Sequence, residues 1–126
     1  MRENEIAKIA FECGLKVHRI LGPGLLESSY EECLNYEFLK SGLIVEKQKP
    51  LPLIYEDIVL ETGYRVDFLI DRKVIIEIKS IEALKEIHKA QVITYLKWSS
   101  CKLALLMNFN VLLFKGGVKR IIRGAL

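Results

Sequence analysis

The sequence holds no apolar run approaching the ~20 residues that a membrane span needs. Its polar start, Met1-Arg2-Glu3-Asn4-Glu5-Ile6, lacks the pattern of a secretory signal, so a cytoplasmic protein is expected. Cysteine is scarce: Cys13, Cys33 and Cys101 are odd in number, far apart and without C-x-x-C spacing. That argues against disulfides and cysteine-bound zinc and leaves reduced, packed thiols. No Gly-rich phosphate loop, dinucleotide fingerprint, repeat, linker or low-complexity stretch occurs. Neither sign of charge dominates, since 19 Lys and Arg face 16 Asp and Glu for a net charge of +3. Such a balance permits nucleic-acid contact without demanding it.

What is present suits one domain spanning residues 1–126, with 51% hydrophobic residues to supply a core. Ile6, Ile9, Cys13, Val17 and Ile20 form a stripe at helical spacing over residues 4–21. Gly22-Pro23-Gly24 stops that helix and starts a second over 25–40, which Ser41-Gly42 ends. Residues 44–55, broken by Pro50 and Pro52, read as an edge strand or two short pieces, because proline lacks a ladder donor. A hairpin over 63–80 follows, then a helix over 81–98 and strands over 102–107 and 111–115. Gly116-Gly117 reads as a tight hairpin turn into a last strand over 118–123. The fold class expected is α/β, a mixed β-sheet flanked by helices.

The hairpin carries the most informative charges. Tyr64, Val66, Phe68 and Ile70 alternate with Arg65, Asp67 and Leu69, and Val74, Ile76 and Ile78 alternate with Ile75, Glu77 and Lys79. The simplest register that keeps both apolar sets on one side centres on Arg72 and sets Asp67 across from Glu77. Their Cβ atoms would then lie roughly 4.5–5.5 Å apart, and like charges so placed destabilise a sheet. A bound divalent cation would reverse that penalty, and Mg²⁺ takes one or two carboxylates plus water and substrate phosphate. Lys79, two residues beyond Glu77 on the same face, could then stabilise charge developing in phosphodiester hydrolysis. The plainer alternative is a solvated hairpin face on which Lys79 and Arg65 neutralise the two acids.

Arg65-Val66-Asp67 followed by Glu77-Ile78-Lys79 resembles the motif of the PD-(D/E)XK nuclease superfamily, with Val66 in the place of its proline. Upstream, Gly24, Glu27 and Tyr30 within the segment 17–30 resemble the signature of the small bacterial and archaeal GxxExxY proteins, a family placed in that superfamily. The resemblance covers nearly the whole chain. It implies a restriction-endonuclease-like core and a metal-dependent nuclease using Mg²⁺ or Mn²⁺. Asp67 and Glu77 would be metal ligands, Glu27 a third ligand to metal or water, and Lys79 a catalytic lysine. The implied partner is nucleic acid, DNA in preference to RNA. No membrane is implied, and a homodimer is admitted. A catalytically inactive nuclease-fold module that binds nucleic acid or regulates is the alternative. An interaction protein acting through an exposed Trp98 or the C-terminal strand is a third reading.

Several residues carry paired readings. Glu27 shares a helix face with Tyr30, Glu31, Leu34 and Phe38, which would turn it inward; a helix-start dipole role, worth roughly 0.3–1 kcal/mol, is the alternative. Gln91 and Tyr95 form an i,i+4 pair on a polar stripe with His88. A Q-x-x-x-Y helix after the lysine strand resembles a feature of the nuclease domains of bacterial recombination helicase-nucleases, where it would position substrate or the lysine. Amphipathic packing is the other reading. His88 reads as an edge residue and His18 as a structural hydrogen-bond partner. Lys115, Lys119, Arg120 and Arg123, and separately Lys47 and Lys49, are candidate contacts to a nucleic-acid backbone, or solvated charge.

Overall fold

The structure, a computed structural model, describes residues 1–61 and 63–126. Two helices lead, α1 (Glu3–Leu21) and α2 (Glu27–Lys40). Of the helical stripe read from the sequence, Ile6, Cys13 and Val17 lie on the buried side of α1 with Ala10, and Ile9 is partly buried, whereas Ile20, in the last turn, is exposed. α1 stops where Gly22, at φ +73°, returns its N–H to the His18 carbonyl at 2.7 Å.

Five strands form the main sheet: β1 (Val45–Pro50), β4 (Arg65–Ile70), β5 (Val74–Lys79), β6 (Leu103–Asn108) and β7 (Val118–Ile122), in the order β1-β4-β5-β6-β7. Only β5 and β6 run parallel, joined by the crossover helix α3 (Glu86–Ser99). Strands covered on both faces read as continuous apolar runs, and every residue of β6 is buried. α1 and α2 cover one face, where Tyr30, Leu34 and Phe38 meet Phe68, Ile70 and Ile76. On the other face Val92, Tyr95 and Leu96 of α3 meet Leu69, Ile75 and Leu106. Each such fully buried large apolar side chain contributes about 1.5–3 kcal/mol. The central hairpin is therefore covered on both sides; of the charged face considered from sequence, Glu77 is buried, Asp67 and Lys79 are half-buried and Arg65 is exposed.

The β4–β5 register is the expected one, with Phe68 opposite Ile76, Leu69 opposite Ile75 and Ile70 opposite Val74. β1 pairs with β4 alone and is an edge strand that ends at Pro50. A separate hairpin of β2 (Leu53–Tyr55) and β3 (Ile58–Leu60) then projects from the end of the sheet at which β4 begins.

Three expectations are corrected. α3 begins at Glu86 rather than near residue 81. Residues 111–115 are not a strand: His18 Nε2 donates to the Val111 carbonyl at 2.7 Å, and buried Phe114 fills the space left by Gly14 against α1. The reading of His18 as a structural hydrogen-bond partner thus agrees with the structure. Gly116 and Gly117 make no hairpin turn, because neither has positive φ and both lie in a 3₁₀ turn, Phe114–Gly117. Of the cysteines, Cys13 and Cys101 are packed, whereas Cys33 is exposed; all three are free thiols.

Candidate metal centre

The ladder between β4 and β5 ends at Phe68 and Ile76, so the next main-chain donors lack cross-strand carbonyls. Two carboxylates fill the gap. The Asp67 N–H donates to Glu77 Oε1 at 2.8 Å, and the Ile78 N–H donates to Asp67 Oδ2 at 2.7 Å. The two acids are held between the strands, each satisfying the other strand's backbone. From β1, Gln48 Nε2 donates to Asp67 Oδ1 at 3.2 Å and also to the Glu31 carboxylate. Gln48 reaches both from a left-handed backbone, φ +51°.

Burial dominates the electrostatics. Glu77 is only 6% exposed, and its carboxyl is pushed up to about 8, first by desolvation and then by the neighbouring Asp67 charge. Asp67 is likewise raised, first by desolvation. Lys79 pulls both downward, but among the described residues neither acid has an ion pair. The salt-bridged explanation of the two acids therefore fails. Two adjacent carboxylates, Glu77 buried and Asp67 half-buried, with hard oxygen donors and no ion-pair partner among the described residues are the donor set that suits Mg²⁺ or Mn²⁺ completed by water and substrate. Among the described residues no three Asp, Glu, His or Cys side chains are already placed to hold a metal ion together.

Glu27 is also exposed rather than inward-facing, because it is the first residue of α2 and lies beyond the packed turns. It is nevertheless fixed at the site. Gly24, at φ +89°, turns the chain ahead of α2. The Tyr30 hydroxyl donates to the Gly22 carbonyl at 2.6 Å and accepts the Leu25 N–H at 3.1 Å, while its ring stacks on Phe109 with centroids 4.5 Å apart. Ser80 completes the clasp: its hydroxyl donates to the Leu25 carbonyl at 2.5 Å and its N–H to Glu27 Oε2 at 3.1 Å. Glu27, Glu31, Gln48 and Asp67 thereby line a single cavity of about 140 Å³. A model of the PD-(D/E)XK nuclease superfamily matches residues 4–121. The chain belongs to the PD-(D/E)XK nuclease superfamily. Its mixed sheet flanked by helices is that superfamily's restriction-endonuclease-like core, and Asp67, Glu77 and Lys79 occupy the splayed end of the central hairpin. No curated protein and no solved structure matches the chain.

The superfamily core brings some further candidates to the acids and scatters others. Tyr95 is buried, and its hydroxyl is raised first by burial and then by the charges of Glu77 and Asp67. Gln91 is exposed one turn earlier on α3. His88 caps the helix start, its Nδ1 accepting the Lys85 N–H at 2.9 Å. Trp98 is not a free docking residue, because it packs between Tyr64 and Tyr95 at centroid distances of 5.4 and 6.2 Å. The C-terminal basic residues do not form one patch. Lys119 shares its β7 face with Ile121, which packs toward α3, whereas Arg120 bonds Asn4 of α1 and lines a cavity with Lys115. Arg123 lies at the far end of the sheet, its N–H on the Lys102 carbonyl at 2.8 Å. Lys47 and Lys49 are paired with Glu32 and Glu46.

Three residues of the site escaped the sequence reading. Gln48 sits between two lysines with no periodic signal, and its left-handed backbone is invisible in sequence. Ser80 directly follows Lys79, but its partner Leu25 is 55 positions away. Asn108 is 2% exposed and holds both the N–H and the carbonyl of Ile81, at 3.1 and 3.0 Å, while the Phe109 N–H holds the Lys79 carbonyl at 2.9 Å. Together they fix the exit of β5. An asparagine ending an apolar run was the only available cue.

Proposed function

We propose that this protein is a metal-dependent nuclease of the GxxExxY type, hydrolysing phosphodiester bonds of nucleic acid in the cytoplasm, with DNA as the expected substrate. The observation that carries the reading is the Asp67–Glu77 pair at the splayed end of the hairpin, Glu77 buried and Asp67 half-buried without an ion pair among the described residues, with Lys79 two residues beyond Glu77 on the same strand. Asp67 and Glu77 would hold Mg²⁺ or Mn²⁺, which when bound neutralises and polarises the scissile phosphate. Lys79 orients the attacking water and stabilises the charge that develops on the phosphoryl oxygens. Glu27, held by Ser80 at the rim, accepts a hydrogen bond from that water. The Tyr95 hydroxyl serves as a donor on the carboxylate side, and Gln91 contacts substrate from the exposed turn before it.

The test substitutes Asp67→Ala, Glu77→Ala and Lys79→Ala separately and together and assays single- and double-stranded DNA and RNA with Mg²⁺ or Mn²⁺. Each single change is expected to lower cleavage on the order of 100- to 1000-fold, the loss typical of removing one preorganised charge-stabilising group. Wild type that cleaves nothing above the triple variant would sink the enzyme. Calorimetric Mg²⁺ binding that depends on Asp67 and Glu77, without cleavage, would instead indicate an inactive module retaining the site.

A further inference from the structure

Beside the acids the molecule has a second concavity that the hydrolytic reading does not use. Pro50, Pro52, Glu61, Tyr64 and Arg65 surround a cavity of about 450 Å³, a volume in the range of small-ligand sites. Its floor is tied where the Leu51 N–H donates to the Tyr64 carbonyl at 2.8 Å. Arg65 opens β4 two residues before Asp67, about 6.6 Å along the strand at 3.3 Å per residue, and both side chains leave the same face. Among the described residues the Arg65 guanidinium has no ion pair and no side-chain hydrogen bond, so it is available to an anion arriving at the acids. Tyr64 is 40% exposed, and its ring is braced edge-on by Trp98, which in turn packs on Tyr95 beside the carboxylates. A supported, partly exposed aromatic ring, two proline walls and a free guanidinium are the parts of a base-stacking platform next to a phosphate contact.

The geometry points to this cavity as a slot for one unpaired nucleobase flanking the scissile phosphate, which makes the preferred substrate single-stranded or locally melted nucleic acid. Tyr64 stacks the base, Arg65 holds the adjoining phosphate, and Glu61 offers acceptors to the base edge. A base inside an intact duplex reaches the slot only by leaving its stack, a cost that a single strand does not carry. This inference rests on the nuclease reading for the placement of the scissile phosphate, but its test is a binding test that needs no turnover.

The full chain carrying Glu77→Gln, which lacks the carboxylate needed for cleavage, is titrated in Mg²⁺ with a short oligodeoxythymidine bearing one 2-aminopurine, alone and annealed to its complement. Tighter binding of the single strand with quenched 2-aminopurine fluorescence is expected. Adding Tyr64→Ala should weaken single-strand binding roughly 5- to 100-fold, the loss of one base–aromatic stack, and abolish the quench. Tyr64→Phe should keep both, which separates stacking from misfolding. Arg65→Gln should flatten the salt dependence of single-strand binding by about 0.7 in log K per log salt. Equal affinity for both forms, or a Tyr64→Phe variant as weak as Tyr64→Ala, overturns the slot. A wild-type chain that cleaves yet shows no Tyr64 effect loses the slot and keeps the nuclease; one that never cleaves but quenches through Tyr64 keeps the slot and loses the nuclease.

Discussion

Glu77 sets the pH behaviour of the metal-free protein. Its carboxyl titrates near 8 in the fold against an ordinary 4.5, first because of burial and then because of Asp67. Between those values the native state binds more protons than the unfolded chain, so stability falls as pH rises through the window and levels off above about 8. Asp67, also raised, acts in the same direction. Glu77→Gln should remove most of this slope. Urea denaturation in chelator is therefore expected to show wild type losing stability relative to Glu77→Gln between pH 5 and pH 8, with added Mg²⁺ reversing the loss at pH 8 by binding the ionised pair. A constant difference between the two proteins across that range would remove the case for a buried, strained carboxylate. At this scale the sequence was informative about identity and poor about environment. Period-2 alternation placed Asp67 and Glu77 together, but the burial of Glu77 and the approach of Gln48 and Glu31 to Asp67 are long-range contacts that local pattern does not encode. Glu27 shows the converse: its helical face pointed inward, yet its position in the first turn leaves it beyond the core.

Elements with strong local periodicity were legible. α1 and α2 lie within two residues of expectation, and the β4–β5 register follows because a one-residue slip would invert Phe68, Ile70, Ile76 and Ile78. Elements shaped by distant packing were not. The chain after β6 is a case in point: the apolar residues 111–114 look like a strand, but Phe114 is drawn against α1, and Gly117 serves a close approach instead of a turn. A Cβ on Gly117 would lie 2.2 Å from the Asn108 carbonyl oxygen, whereas one on Gly116 meets nothing within 4 Å. Gly117→Ala should therefore destabilise the protein by about 1–3 kcal/mol, as overpacking does. Gly116→Ala, its internal control, should stay within about 0.5 kcal/mol, as open surface sites do. The urea midpoints of the two variants measure this directly, and equal midpoints would show that the tight contact between β6 and the 3₁₀ turn is not a constraint. Because Asn108 also holds Ile81 behind Lys79, Gly117→Ala reports on the support of the site as well as on the core.

Across the whole molecule, charge arrangement decides more than charge total. The net +3 and the run of basic residues near the C-terminus suggested one phosphate-binding patch, but a strand divides neighbouring side chains between its two faces. Lys119 therefore lies on the α3 side, Arg120 and Lys115 on the α1 side and Arg123 at the far end of the sheet, while the acids sit at the opening of β4. So placed, the four do not face one common surface. Each phosphate contact to a single strand steepens the salt dependence of binding by about 0.7 in log K per log salt. Replacing Lys115, Lys119, Arg120 and Arg123 together by Gln should then flatten that slope by about 1.4 at most, two contacts' worth. Fluorescence anisotropy of a labelled oligonucleotide across a KCl series measures it. A change near 2.8 would show that the four act as one surface and that nucleic acid wraps the β7 edge rather than entering beside Arg65.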